Sequence, residues 1–311
     1  MKIYFNRRPA PGPWGGGSKV LSSIVSESTR RKHEVYFEED IRKNIRFDIY
    51  FCMDPRQNQT VGYQDIIKHR ETNTNAKIVQ RVGDLGTHGK PELLDLVKRT
   101  SELSDALIFP SEWAKNYLSS KNKRCYVIPN APLPEFFVKS LKEPSETLKI
   151  VTHHWSNNSM KGFDIYENLD IFCEVGGRKN FDFLFVGRKP DNVVLKNQMG
   201  PQGVENLVKI LPRNHVYVTA SKQEAGANHV LEALAMGLPV LYHTDGGSIN
   251  EYCKEFGFSY ENFEELKQIL LNKKDDLMKI SKTLSYTRSS VDMSREYLDL
   301  LERIHEDKHK H

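Results

Sequence analysis

Two successive α/β domains, each a parallel sheet covered by helices on both faces, are predicted by three features of the sequence. Short apolar runs rich in β-branched and aromatic residues alternate with amphipathic stretches over nearly the whole chain, the pattern of strand–helix–strand units rather than of hairpins. The alternation is broken once, by a proline-bearing segment at 130–149, and then restarts. The length of 311 residues exceeds one typical domain and accommodates two of about 150.

In chain order, KIYF (2–5), DIYFC (48–52), KIVQRV (77–82), ALIFP (106–110) and CYVIP (125–129) read as buried strands bounded by polar turns. SKVLSSIVSESTRR and PELLDLVKRTSELS lie between them as helices; in the second, Leu93, Leu94, Val97 and Leu103 recur at helical spacing. NAPLPEFFVKSLKEPSETLK reads as a linker. LKIVTHHW, FDFLFVG, NHVYVTAS and PVLYHT are the strands of the second half, and FEELKQILLNKKDDLMKISKTL (263–284) is a single amphipathic helix. SREYLDLLERIHEDKHKH is a last helix with a His/Lys-rich tail. The resulting division is 1–145 for a first Rossmann-like domain, 146–288 for a second, and 289–311 for a helix and tail that cross back to the first. A cleft between two such domains is the default ligand site.

Composition excludes several classes. A hydrophobic content of 38% with 28% charged residues is that of a folded, water-soluble chain. A net charge of +4 suits a small anionic ligand, or weak contact with an anionic membrane surface, better than nucleic acid. Cys52, Cys125, Cys173 and Cys253 stand singly, with no metal-ligand spacing, so neither disulfides nor structural zinc are expected and a reducing cytoplasm is the default location. The N-terminus has no signal-peptide core and no apolar run approaches membrane-spanning length. Asn58-Gln59-Thr60 and Asn157-Asn158-Ser159 fit the glycosylation pattern, which a cytoplasmic protein leaves unused.

The stretch SKQEAGANHVLEALAMGLPVL (221–241) is the candidate site. Its two glutamates, Glu224 and Glu232, stand at i and i+8, but Glu135 and Glu143 in the linker share that spacing, so spacing alone decides nothing. Context separates them. Glu224 falls in a loop of small residues, Ala225, Gly226 and Ala227, after the strand NHVYVTAS and before a helix that Asn228 can cap and Gly237 can close. A strand, a small loop and a helix N-terminus together form an anion site, since unpaired backbone N–H groups and the positive helix end face the ligand. On a helical wheel Val230, Leu231 and Leu234 face the sheet, while Glu232 and Asn228 point away. Geometry therefore leaves open that Glu232 is an ordinary solvent-facing carboxylate.

The run EAGANHVLEALAMGLPV, followed by TDGGSINE (244–251), resembles the signature of glycosyltransferase family 4, the retaining nucleotide-sugar transferases of GT-B architecture. The resemblance implies that Glu224 contacts donor-sugar hydroxyls, Glu232 holds the nucleotide ribose, and the amides of Ala227 and Asn228 meet sugar or phosphate beside Gly226. In the same order, PGPWGGGSKVL (11–21) sits where the family has a glycine-rich loop, with Gly15, Gly16 and Gly17 permitting close backbone approach; a plain surface turn is the competing reading. THHWSNNSMKGFDIY (152–166) sits where the family has Arg, a gap, then Lys-Gly. Lys161-Gly162 matches, and Lys161 would neutralise the leaving diphosphate. The arginine is missing, because Ser156 occupies its place. Arg188 in FVGRKP is the candidate for the second positive charge, against a plain surface arginine.

Adjacent strand residues point to opposite faces, so His153 and His154 are not expected to bind a metal together; one is expected to be buried or polar-bonded and the other free. QRVGDLGTHGK (80–90) resembles a cleft segment of some family members, which makes Asp84 the candidate for positioning donor sugar or acceptor hydroxyl, with Arg81 and His88 behind it. A structural turn explains its glycines equally well. IPNAP (128–132) is read as structural.

The implied activity is retaining transfer of a sugar from a nucleotide-diphosphate donor to an acceptor hydroxyl in glycan or glycoconjugate synthesis, with a glycan or lipid-linked acceptor. No DxD-type motif is present and the fold does not ordinarily need a metal, so metal-independent action without a cofactor is expected. Two other readings stay open: another GT-B nucleotide-sugar enzyme such as an epimerase, and an inactive nucleotide-sugar-binding protein, which the missing arginine makes conceivable. The base, the sugar and the acceptor are not legible in the sequence.

Overall fold

A computed structural model of the chain describes residues 1–10, 15–138, 142–143 and 145–307. The head of the glycine-rich loop (11–14) and the basic end of the chain (308–311) lie outside the described residues. The chain divides into two compact units, one made of Met1–Asn130 together with the chain from Ser290 on, the other of Ala131–Ser289.

The first unit carries the strands β1 (Lys2–Phe5), β2 (Glu34–Phe37), β3 (Ile49–Cys52), β4 (Lys77–Arg81), β5 (Ala106–Phe109) and β6 (Cys125–Val127). All pair in parallel, in the order β2-β1-β3-β4-β5-β6. Every residue of β3 and β5 is buried, as expected where helices cover both faces. Tyr4 and Tyr50 are register partners, with ring centroids 5.9 Å apart edge to face, and they pack with Phe47, Ile66 and Ile78 in an aromatic-rich core.

The last helix, Ser290–Glu306, belongs to this first unit. Met293, Tyr297, Leu300, Leu301 and Ile304 recur at helical spacing and are buried. Arg31, just past the helix Gly16–Arg30, pairs with Asp299 at 2.7 Å and Glu302 at 2.9 Å. Tyr297 accepts a hydrogen bond from Arg81 Nε (3.2 Å) through its hydroxyl, which ties the buried Arg81 to the last helix. Asn130 takes the other end of that guanidinium at 2.8 Å, which gives the IPNAP turn its structural role.

The second unit carries β7 (Leu148–His154), β8 (Phe181–Gly187), β9 (Gln198–Met199), β10 (Val216–Thr219), β11 (Val240–His243) and β12 (Gly257–Tyr260), parallel throughout and ordered β12-β11-β10-β7-β8-β9. The period of two sorts its side chains onto two cores. Ile150, Phe183, Phe185, Val216, Val218 and Leu241 face one; Val151, Val186, Tyr217, Val240 and Tyr242 face the other.

Three strands escape the sequence pattern: β2, β9 and β12. All three are sheet edges, where one side of the strand meets solvent and no continuous apolar run is required. The stretch 263–284 forms two helices, Phe263–Asn272 and Lys274–Thr283, rather than one. Lys273 leaves helical geometry between them, and Asp275 and Asp276 give the second helix its own acidic first turn. The unit boundary falls after Asn130 rather than at 145, because Phe136 is buried in the second core and Lys142 Nζ donates to the carbonyls of Gly237 (2.9 Å) and Ser281 (2.5 Å). The four cysteines are not in disulfides. No helix among the described residues is long and apolar enough to cross a membrane.

Leu301 is fully buried in the last helix. Leu301→Ala is expected to destabilise the first unit by about 3 kcal/mol, read as a lower urea midpoint. A change below about 0.5 kcal/mol would mean that this helix contributes little to holding the unit together.

Candidate active site

In the second unit, the carboxyl ends of β7, β8 and β10 bring most of the predicted residues together, the edge at which open α/β sheets bind ligands. β10 ends at Thr219, and the chain reaches Glu224 through Gln223, a non-glycine residue at φ 51°. Such a conformation costs on the order of 1 kcal/mol and needs outside support. The support is main-chain: Gln223 N donates to Asp245 O (2.7 Å), Glu224 N to Gly246 O (3.2 Å), and Ser248 N to Glu224 O (2.9 Å). Glu224 and Gly247 thus form an isolated parallel bridge. Gly247 sits at φ 68°, and a Cβ there would fall 2.6 Å from Glu224 O, so the bridge requires glycine. The segment TDGGS is the clamp that fixes Glu224.

Lys161 arrives from the other side. Asn158 caps the short turn Ser159–Lys161, accepting from Met160 N at 2.9 Å. Gly162, at φ 70°, lies so close to Ala220 that a Cβ would meet its carbonyl oxygen at 2.5 Å, and Lys222 N donates to Met160 O (2.9 Å). The loops after β7 and β10 are thereby pinned together. The result is a hydrogen-bonded ion pair between Lys161 Nζ and Glu224 Oε1, with side chains only 11% and 15% exposed.

The helix Asn228–Ala235 follows. Its N-cap is Ala227, not Asn228, and no side chain caps it. The Ala227 amide donates to Ser248 Oγ (3.1 Å) instead of remaining available, because the clamp brings that hydroxyl beneath the helix end. Asn228 Oδ1 is buried and has no hydrogen-bond partner among the described residues. Gly237, at φ 72°, ends the helix with its amide on Leu234 O (2.9 Å). Gly226 lies half-buried in the loop.

Glu232 does not face solvent. It is 3% exposed, and its Oε2 lies 2.9 Å from His153 Nε2. A helical wheel puts it opposite the sheet, but the end of β7 rises beside the helix and supplies a partner. The expectation that one of the two histidines is free also fails. His154 Nε2 lies 2.6 Å from the Tyr166 hydroxyl, which in turn accepts from Ala220 N (2.9 Å). Both histidines are buried, since this end of the sheet lies beneath the loops.

His229 was not singled out in the sequence, where it looks like one more polar residue of a helix start. It lies 3.0 Å from Thr219 Oγ1 through Nε2, and burial, reinforced by the Lys161 charge, pushes its pKa down to about 3. Arg188 follows β8, its amide bonded to His154 O (3.1 Å) and its guanidinium stacked 4.2 Å above the Trp155 ring. It is exposed, and no carboxylate pairs with it among the described residues. Among those residues no group of three or more His, Cys, Asp or Glu is placed to hold a metal ion.

Gly16, Gly17 and Asp84 lie in the first unit. Gly16 opens the helix Gly16–Arg30, with Gly15 at its N-cap. A Cβ at Gly15 would meet nothing within 4 Å and one at Gly17 only Met53 Cε at 3.8 Å, so the surrounding protein does not itself demand glycine there. Asp84 accepts from Gly86 N (3.0 Å) and pairs with Lys90 Nζ (2.9 Å), a turn-forming role.

Two parallel six-stranded sheets with interleaved helices are the GT-B fold of glycosyltransferases. No protein-family model matches the sequence, and no curated protein matches it. Among solved structures the chain is similar to sucrose-phosphate synthase from Thermosynechococcus elongatus, with a TM-score of 0.71 and 13% identity over 98% of this chain and 99% of that one. It is similar to a glycosyltransferase from Rickettsia africae, with a TM-score of 0.68 and 16% identity over 97% and 98%. The pneumococcal O-GlcNAc transferase GtfA, solved with UDP and GlcNAc, gives a TM-score of 0.61 and 13% identity over 94% of this chain and 60% of that one. Likewise the chain spans 61% of the matched chain in the GtfA/B complex. At such identities the fold is what these proteins share.

His229 makes the second unit acid-sensitive. Its folded pKa lies below the ordinary value of 6.5, so its contribution is complete above pH 6.5 and is lost as pH falls towards 3. Stability at pH 5 is expected to be about 2 kcal/mol below that at pH 7 from this residue alone. Urea midpoints at the two pH values check this, and His229→Gln should flatten the dependence; an equally steep dependence in that variant would count against it.

Proposed function

We propose that the chain is a retaining, metal-independent glycosyltransferase that moves a sugar from a nucleoside-diphosphate donor to an acceptor hydroxyl in glycan or glycoconjugate synthesis. The observation that carries the proposal is the Lys161–Glu224 pair, clamped beside a helix N-terminus at the carboxyl edge of the second sheet. The printed ligands of the pneumococcal GtfA structure, UDP and GlcNAc, are of the class this site would take.

In glycosyl transfer the bond from the sugar C1 to the diphosphate oxygen breaks, a bond from C1 to the acceptor oxygen forms, and the acceptor proton passes to the departing diphosphate. The barrier lies in charge separation between an oxocarbenium-like sugar and a diphosphate anion. A cation fixed before reaction stabilises that anion without reorganisation. Lys161 is such a cation, held in place by the turn at Asn158–Gly162. The half-positive end of the helix Asn228–Ala235 adds to it. Arg188 is the second cation in this reading, with Trp155 holding its guanidinium where the family arginine is absent. Glu224 orients donor hydroxyls and Glu232 the ribose. The buried Asn228 Oδ1 is a further acceptor for a sugar hydroxyl. The free thiols fit a cytoplasmic location, with any membrane contact weak and peripheral.

The test is release of nucleoside diphosphate from UDP- and GDP-sugars, with and without glycan acceptors. Acceptor-dependent release with an unchanged anomeric configuration in the product is the expected result. Release without acceptor would point to hydrolysis or epimerisation, and binding without release to an inactive protein. Lys161→Ala and Glu224→Gln are each expected to lower kcat by about 10²–10³-fold with the fold intact by circular dichroism. Full activity in both variants would refute the assignment.

A further inference from the structure

Glu232 is a carboxylate set among apolar neighbours in its helix: Val230, Leu231, Ala233 and Leu234 around it are all buried, and Glu232 itself is 3% exposed. Removing a carboxylate from water costs several kcal/mol unless donors replace the lost hydration. Its Oε2 meets His153 Nε2 at 2.9 Å. With Nε2 donating to the carboxylate, the ring is held from its other side as well. Nδ1 lies 3.1 Å from the Tyr217 hydroxyl, which accepts from His153 N (3.0 Å) and has a single proton to share between Nδ1 and His153 O (3.1 Å). Tyr217 is fully buried at the centre of β10, and β10 is paired with β7 through Val216–Ile150 and Tyr217–Val151. The imidazole therefore has one orientation, set by two neighbouring strands, and that orientation aims Nε2 at the carboxylate.

A pair of this kind is not the arrangement that maximises stability. Well-packed apolar residues of similar volume commonly replace buried ionisable pairs at no cost. What the pair does supply is a carboxylate whose plane cannot turn. The terminal torsion of a glutamate is ordinarily broad, and fixing one oxygen narrows it. A carboxylate offers about four acceptor positions, and a vicinal diol needs two. A fixed carboxylate suits a vicinal diol, whose two hydroxyls diverge at a set angle.

We infer that His153 is a positioning residue that holds the Glu232 carboxylate for the 2′- and 3′-hydroxyls of a ribonucleoside diphosphate, and so makes the protein select ribose over deoxyribose. The inference rests on the nucleotide-sugar reading and adds to it the residue that sets sugar selectivity in the nucleoside. His153 acts through Glu232 and touches no reacting atom.

The experiment is calorimetric titration of the full chain with UDP, GDP, their 2′-deoxy and 3′-deoxy forms, and inorganic pyrophosphate. The wild type is expected to bind the ribo form of its preferred nucleotide at least tenfold more tightly than either deoxy form. His153→Asn, whose amide is too short to reach the place of Nε2, should lose about tenfold in affinity for the ribo form with little change for the deoxy forms and pyrophosphate. His153→Gln, whose amide does reach it, should restore part of the preference. In a Glu232→Gln background, His153→Asn should have no further effect on the preference. An equal loss for every ligand, or a ribose preference that His153→Asn leaves intact, overturns the inference while the nucleotide-sugar reading stands. A folded wild type that binds none of these nucleotides overturns both.

Discussion

Lys161 and Glu224 are 63 residues apart in sequence and form an ion pair with little exposure to water. A pair this withdrawn gains from the low local dielectric but forfeits hydration, so it persists only if the backbone delivers both groups to the same place. Two close approaches perform the delivery. Gly162 lets the turn after β7 lie against Ala220, and Gly247 lets the turn after β11 lie against Glu224. At each position a single methyl group would overlap main-chain atoms. The strained Gln223 and the capture of the Ala227 amide by Ser248 follow from the same clamp. The chemistry of the edge thus depends on backbone contacts between loops that a sequence lists far apart.

That dependence accounts for what the sequence disclosed and what it hid. The central strands were legible because a strand buried on both faces must be apolar throughout, as in DIYFC and ALIFP. Edge strands carry no such demand, and EVYF, QM and GFSY went unread. The two-unit division and the loop carrying Glu224 were legible from alternation and from small residues before a helix. Glu232 was misplaced for a definable reason. A helical wheel knows the helix and the sheet beneath it, but not the height to which a neighbouring strand extends. β7 runs to His154, and its end changes a nominally outward glutamate into a buried one. His229 was invisible by the same logic, since its partner Thr219 is a terminal strand residue.

The histidines show how polar side chains are accommodated in an interior. The His229 ring lies 6.4 Å from that of His153 and 5.2 Å from that of His154, close enough that two positive charges in either pair would repel strongly. Each has its own polar partner: Glu232, Tyr166 and Thr219 respectively. Tyr166 and Tyr217, both fully buried, hold their phenols protonated, with Tyr166 pushed up to about 12 by burial. A network of this sort lets buried polar groups polarise and strengthen one another when each has a partner. It also leaves Lys161 as a cation whose nearest counter-charge is Glu224.

Sharing of the fold at 13% identity is what these constraints lead one to expect. A strand buried on both faces specifies apolar character and volume, and Val, Ile, Leu, Phe and Tyr satisfy it interchangeably. The carboxyl edge is more demanding at a few backbone positions and more permissive in its charges. A cation beside the end of β7 can come from the loop that follows it or from the end of β8, because the two strands run in register up to His154 and Gly187. Arg188 at the end of β8 is stacked on Trp155, and in the proposed reading it supplies the charge that Ser156 does not. The aromatic plane does for the arginine what a carboxylate would otherwise do: it fixes the guanidinium by cation–π attraction without cancelling its charge. In the proposed reading, an arginine held by an acid would be neutralised at the place where a diphosphate needs it, whereas one held by an indole keeps its full charge for the ligand.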